Sequence, residues 1–435
     1  MAAAIPVENS IVRRGALITH ESDSVKMMRK LPPLLLALIV LCFLIYFLYG
    51  IYFGSFGANA ENVMTFFRIT ESQQGVIMTV QSIGCIMMTI FLGLFGERIN
   101  KLKGLLFGLF FMGLASVLIG TMSMYLSVGT GYILMLLFSL IGGVGYVSID
   151  LLMNGAIADI YPKEKTTLLP LTHAFYGTGS MLSPLFVTAM TNPALPQTFS
   201  KPYLLHGILS LGLCIVCAVV MTRARPLTPY EDSASMHASA ARNPAEIFSD
   251  IRAWLFLLCS LLYSCFQIGL GAWLPQYVQQ MQGASYVLSN TMLSLYFAGA
   301  LMMRLLSPLM YRKLSVLAFY IISNLLSSAV FLIFLFIELS SLARCALIVM
   351  MGILQGCSFP GLFILCGNIF PQRTASASAL IVLGISISTC VAPAVIGRMI
   401  ETVGYRLPML SITIALVLSV ANLFLIQKIG KRAAI

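Results

Sequence analysis

Charge is what this chain has least of. Only 9% of its 435 residues are Asp, Glu, Lys or Arg, 59% are hydrophobic, and the mean hydropathy is +0.94. Soluble proteins carry about 25% charged residues, so this composition excludes an array of water-soluble domains and indicates an integral membrane protein. Other absences narrow the chemistry. All ten cysteines fall in apolar runs, and Cys214 and Cys217 have no histidine or acid beside them. They read as core packing rather than a zinc or redox centre, and neither a metal nor a cofactor is expected. No GxxxxGK[ST] element follows a strand, so ATP-driven work is not indicated. No nucleophile–base–acid spacing can be traced, which argues against an enzyme.

What is present is a series of long apolar runs. They predict twelve spans at 33–57, 74–95, 104–124, 131–158, 166–190, 202–222, 252–277, 286–310, 315–337, 343–369, 374–399 and 407–427, each of about the twenty residues needed to cross hydrocarbon. No small-residue cleavage site stands out behind the first run, so it reads as a span and not a signal peptide. The net charge of +11 is a matter of position and does not indicate nucleic-acid binding. With both termini inside, inner segments hold about 20 of the 26 Lys and Arg, among them Arg13, Arg14, Lys101, Lys163, Arg312, Arg373 and Lys428, and outer segments about five. The expected location is therefore the cell membrane, with cytoplasmic termini and lipid as the surrounding partner.

Between the sixth and seventh runs the chain turns polar, RARPLTPYEDSASMHASAARNPAEIFSD, as a linker would. The expected organisation is a tail at 1–30, a first bundle at 31–222, a linker at 223–250 and a second bundle at 251–435. An internal repeat supports the division. Ile160-Tyr161-Pro162 corresponds to Ile369-Phe370-Pro371, and the same offset pairs Gly143 with Gly352 and Pro184 with Pro393; Gly54 and Gly271 pair at a slightly larger one. An even number of spans per half gives the copies parallel topology, with a solute pathway between them. The fold class expected is all-α integral membrane, twelve transmembrane helices in two six-helix bundles related by a parallel repeat, acting as a monomer.

The stretch Gly142–Pro184 concentrates the unusual residues. Asp150 and Asn154 lie four apart on one helix face, and His173 follows on the next span. Counting ~1.5 Å per residue puts Asp150 about 16 Å from the inner surface, with His173 and Arg304 about 10 Å in. Ionisable groups in hydrocarbon are costly and mark function, here proton coupling by Asp150 with His173 and Arg304 as neighbours. The competing readings are an ion pair or cap at Asp150, helix packing at His173, and a structural or gate-forming Arg304. Asn154 reads equally as a ligand for a sugar hydroxyl or as interhelical glue.

LGLFGERINKLKG resembles the loop signature of the major facilitator superfamily, with Gly93, Glu97, Arg98 and Lys101 on its positions, Glu replacing Asp and Asn100 the second Gly. IDLLMN…HAFYGTGSMLSP and GAWLPQY, with Gly299 and Arg304, resemble the fucose-permease-like sugar:proton symporters. The first span lacks the acid of that type, and Gln267 stands where relatives carry a carboxylate. The resemblance implies a charge latch at Glu97, Arg98 and Lys101, with a purely topogenic role as the alternative. It also implies a pathway lined by the first, fourth, seventh and tenth spans. Candidates there are Tyr46, Tyr49, Tyr52, Asn154, Gln267, Trp273, Gln276, Gln355 and Asn368. Amides and aromatic faces suit a neutral polyhydroxylated solute, although Trp273 also fits a membrane-interface anchor. The reading is a secondary transporter moving a small neutral solute, a sugar, with protons; an exporter of lipophilic compounds and a non-transporting solute sensor are the alternatives.

Overall fold

The computed structural model describes residues 32–95, 99–161, 164–224, 247, 249–311, 313–370 and 374–432, and these are helical with short connections. Glu97, Arg98, the expected N-terminal tail and most of the expected linker lie outside the described residues. The first half runs α1 (Pro33–Ala58), a short α2 (Ala60–Phe67), α3 (Glu71–Phe95), α4 (Lys101–Tyr125), α5 (Tyr132–Ile160), α6 (Lys165–Met190) and α7 (Ser200–Ala224). The second runs α8 (Ile251–Gln282), α9 (Tyr286–Met310), α10 (Val316–Phe336), α11 (Ser341–Gln355), α12 (Ser358–Ile369), α13 (Thr374–Val403) and α14 (Arg406–Arg432). With α2 set aside and α11 and α12 sharing a span, twelve segments cross.

Eleven of these spans pass on length and hydropathy alone among the described residues. The twelfth, α6, is diluted by threonines, serines and His173, and contains Pro170 and Pro184. Its polarity is tolerable because it packs against α1 in its own half and α9 in the other. Helix starts follow local chemistry: Asn100, Asp250, Ser285, Ser315 and Ser340 each accept a main-chain N–H of the helix they precede. The tenth span departs from expectation. It is not one helix but breaks at Gly356 and Cys357, close to its middle.

The repeat is visible in geometry as well as in letters. Tyr161, ending α5, has φ −125° and ψ 60°, and Phe370, ending α12, has φ −119° and ψ 58°. In both copies the next residue is proline, which pushes its predecessor out of the helical region. Packing repeats too. α1 lies on α6 and α7 as α8 lies on α13 and α14, and α3 lies on α5 as α9 lies on α11. Between the halves, α3 meets α13 and α6 meets α9, contacts that the same symmetry exchanges.

Both termini of the twelve-span bundle fall on one face, here the terminal face, opposite the far face. The halves are sealed towards the far face by main chain touching main chain. A Cβ on Gly57 would collide with the Gly271 carbonyl oxygen, and one on Gly75 with that of Pro393. Close approach lets carbonyls be shared: Gln276 Nε2 donates to Gly57 O at 3.1 Å, Asn290 Nδ2 to Ala58 O at 3.3 Å, and Thr79 Oγ1 to Cys390 O at 2.5 Å. Gly57→Ala is therefore expected to leave each half folded but to prevent this seal. Spin-label distances between the far ends of α3 and α13 should lengthen in the variant, and an unchanged distribution would show that the seam yields to a methyl group.

Candidate functional site

Asp150 sits on the fourth span, half-buried, with α1 against it. Tyr46 Oη donates to Asp150 Oδ1 at 3.4 Å, and the Tyr49 hydroxyl turns to the same carboxylate. Tyr49 stacks on Tyr146 with ring centroids 4.1 Å apart and leans on Tyr176 at 5.2 Å. Tyr52 continues the cluster towards Tyr146 and His206. The three-residue spacing of Tyr46, Tyr49 and Tyr52 thus places their rings on one side of α1, where they form the wall around the acid.

From Asp150 a polar line leads across the seam. Asn154 Nδ2 donates to the Asp150 carbonyl at 3.2 Å, one turn back on α5. That orients its Oδ1 towards His173 Nε2, 3.2 Å away, where an Nε2–H can donate to it. The His173 ring meets Tyr46 edge-on, with centroids at 5.4 Å, and the residue is exposed. Beyond it, Arg304 of α9 is near enough for its charge to act on His173 and Tyr176. Arg304 Nε donates to Gly356 O at 3.3 Å, at the break in the tenth span. The structure therefore brings Asp150, Asn154, His173 and Arg304 into one sequence of neighbours. No ion pair joins Asp150 to Arg304 among the described residues.

The remaining expected residues divide. Gln267 is half-buried and shares a face of α8 with Tyr263 and Gly271, the face turned to the seam. Gln276 belongs to the far-face seal and not to an open pathway. Asn368 is exposed in the last turn of α12. Trp273, 1% exposed, lies in an apolar cluster that also takes in Ala58 and Val187 of the first half, so its ring is buried in packing. Gln355 turns its amide to Asn324 Oδ1 at 3.1 Å on α10, a helix without extensive contact to the other half. Of the latch residues, Gly93 lies near the end of α3, and Lys101 forms an ion pair at 2.6 Å with Asp159 of α5 within its own half.

Several contributors were not identified from sequence. Asp159 is the acid closing the fourth span opposite the basic loop, a signal available in its position. Tyr286 links the halves at the far face by accepting from Asn62 Nδ2 at 2.8 Å and donating to Ala58 O at 3.2 Å. Glu401 of α13 accepts the Ser72 main-chain N–H at 2.9 Å while Arg398 holds its other oxygen at 2.9 Å. A carboxylate from one half thus caps the N-terminus of α3 in the other, and Tyr405 Oη ties down Glu71 beside it at 3.1 Å. Glu401→Gln removes that charge. It should weaken far-face closure by about 1 kcal/mol, roughly a fivefold shift towards the open state. Rates of cysteine labelling at the far end of α3 would report the shift, and equal rates in both proteins would exclude the cap from gating.

The chain resembles known transporters over most of its length. An inward-facing, unoccupied bacterial homologue of the human lysosomal transporter Spinster superposes with TM-score 0.76 at 14% identity, covering 92% of this chain and 98% of that one. A D-xylose–proton symporter gives 0.70 at 14% identity over 88% and 96%. FucP in its outward conformation gives 0.58 at 17% over 88% and 98%. No curated protein matches the sequence. At such identities the likeness speaks for the fold, and the family is shown by the sequence: residues 42–340 match the family model of the Major Facilitator Superfamily, and the chain belongs to that superfamily of transporters.

Proposed function

We propose that this transporter couples protons to the movement of a small hydroxyl-bearing solute, a sugar or sugar derivative, by alternating access across the cell membrane. The observation that carries the reading is Asp150, an acid deep in a span, held by phenol hydroxyls and by no fixed cation. A carboxylate in that setting can take a proton and release it as its neighbours rearrange, whereas one locked to Arg304 would stay ionised. The tyrosines and Asn154 around it supply the ring faces and hydrogen-bonding groups that sugar hydroxyls need. The Lys and Arg excess supports a cytoplasmic terminal face, and the sealed far face then fits a state closed to the outside. The polarity of the seam favours this reading over export of lipophilic compounds.

Arg304 then has two partners in turn. Here it caps Gly356; in the alternate state, closure of the inner side would carry α9 towards α5 and bring the guanidinium near Asp150, expelling the proton. Asp150→Asn keeps the shape and removes the titration. In proteoliposomes it should abolish accumulation driven by an imposed pH gradient while leaving solute exchange intact. Full pH-driven accumulation by this variant would assign coupling elsewhere.

A further inference from the structure

The break in the tenth span leaves polar groups of the second half without partners near the middle of the bundle. No side chain caps α12, whose N-cap residue is Cys357, and the Ser358 hydroxyl is taken by Asn324 Oδ1 at 3.3 Å. In hydrocarbon such an opening is sustained only where something polar meets it. Two phenols point the same way. Tyr263 and Tyr296 are 0% exposed, and neither hydroxyl has a hydrogen bond. Tyr263 turns towards the Phe359 N–H without reaching hydrogen-bond geometry, and Arg304 stands close enough to act on both rings. Arg304 itself spends only Nε on Gly356 O, so its two terminal amino groups have no protein acceptor among the described residues.

A guanidinium, two phenols and an uncapped helix N-terminus form a set dominated by donors and positive potential. We infer that this cluster is a binding site for an anionic group, carboxylate or phosphate, carried by the transported solute. The solute is then a sugar acid or sugar phosphate rather than the neutral sugar expected from sequence, its hydroxyls facing the tyrosines of α1 and its anion facing Arg304. The inference rests on the transport reading of the same pathway. It also has a consequence for charge: a monoanion moving with one proton on Asp150 carries no net charge, whereas a neutral sugar moving with one proton carries one.

Two measurements on the full-length protein test this. Thermal stabilisation of the purified transporter is measured with glucuronate, gluconate, glucose 6-phosphate, glucose, inorganic phosphate and sulfate. At least one organic anion should stabilise the wild type, with apparent affinity at least tenfold weaker in Arg304→Gln and several-fold weaker in Tyr296→Phe. Tyr296→Phe keeps the ring and serves if the arginine variant does not fold. Loss of pH-driven accumulation in Asp150→Asn tests coupling and is read separately from anion binding, which the Arg304 and Tyr296 variants test. Uptake of a binding monoanion, glucuronate or gluconate, should respond to a pH gradient and not to an imposed membrane potential. Stabilisation by glucose equal in wild type and Arg304→Gln, stabilisation by phosphate or sulfate alone, or uptake of glucuronate or gluconate driven by potential as strongly as by pH would each overturn the anion site.

Discussion

In hydrocarbon a main-chain N–H or C=O has no water to fall back on, and every other feature of this protein answers to that constraint. Twelve helices meet it along their lengths. At the seam between halves, absence of side chain at Gly57 and Gly75 lets backbone approach backbone. Carbonyls freed near helix ends, at Gly57 and Ala58, are taken by Gln276, Tyr286 and Asn290 of the opposite half. These contacts can form and break as units because the groups involved are rigid main chain and short side chains. A seam built this way suits alternation better than one made of interdigitated large residues would.

The same rule gives the break at Gly356 its meaning. One side of it is satisfied, since Arg304 takes the Gly356 carbonyl and Tyr311 Oη donates to the Cys357 carbonyl at 3.1 Å. Both acceptors are thus covered, while the start of α12 has no side-chain cap and the Tyr263 and Tyr296 hydroxyls have no hydrogen bond. Between the acid of the first half with its phenols and the break in the second stand Asn154 and His173.

The two faces are held differently. At the far face Glu401 reaches across the seam to the start of α3, so closure there is electrostatic as well as steric. At the terminal face Lys101 finds Asp159 of its own half, which braces α4 against α5. Alternation requires that the two faces not be latched at once, because that would hold solute inside.

Class, span number and repeat were legible in the sequence because each is a local property. A run of apolar residues declares a span, Ile-Tyr-Pro and Ile-Phe-Pro mark equivalent helix ends, and the observed helices end within about five residues of the expected limits. Asp150, Asn154 and His173 stood out for the same reason, as polar residues where apolar ones belong. What the sequence could not decide was which neighbour each would find. Trp273 and Gln355 carry the chemistry of a solute site, yet the rotation of their helices buries one in core and turns the other to Asn324. Arg304 and Gly356 are 52 positions apart, and only the packing of α9 on the broken span makes one cap the other. Composition and periodicity determine that a helix crosses the membrane and which residues are costly there. Only tertiary packing decides the register and facing of one helix against another, and with it which costly residue is satisfied by protein and which is left for a ligand.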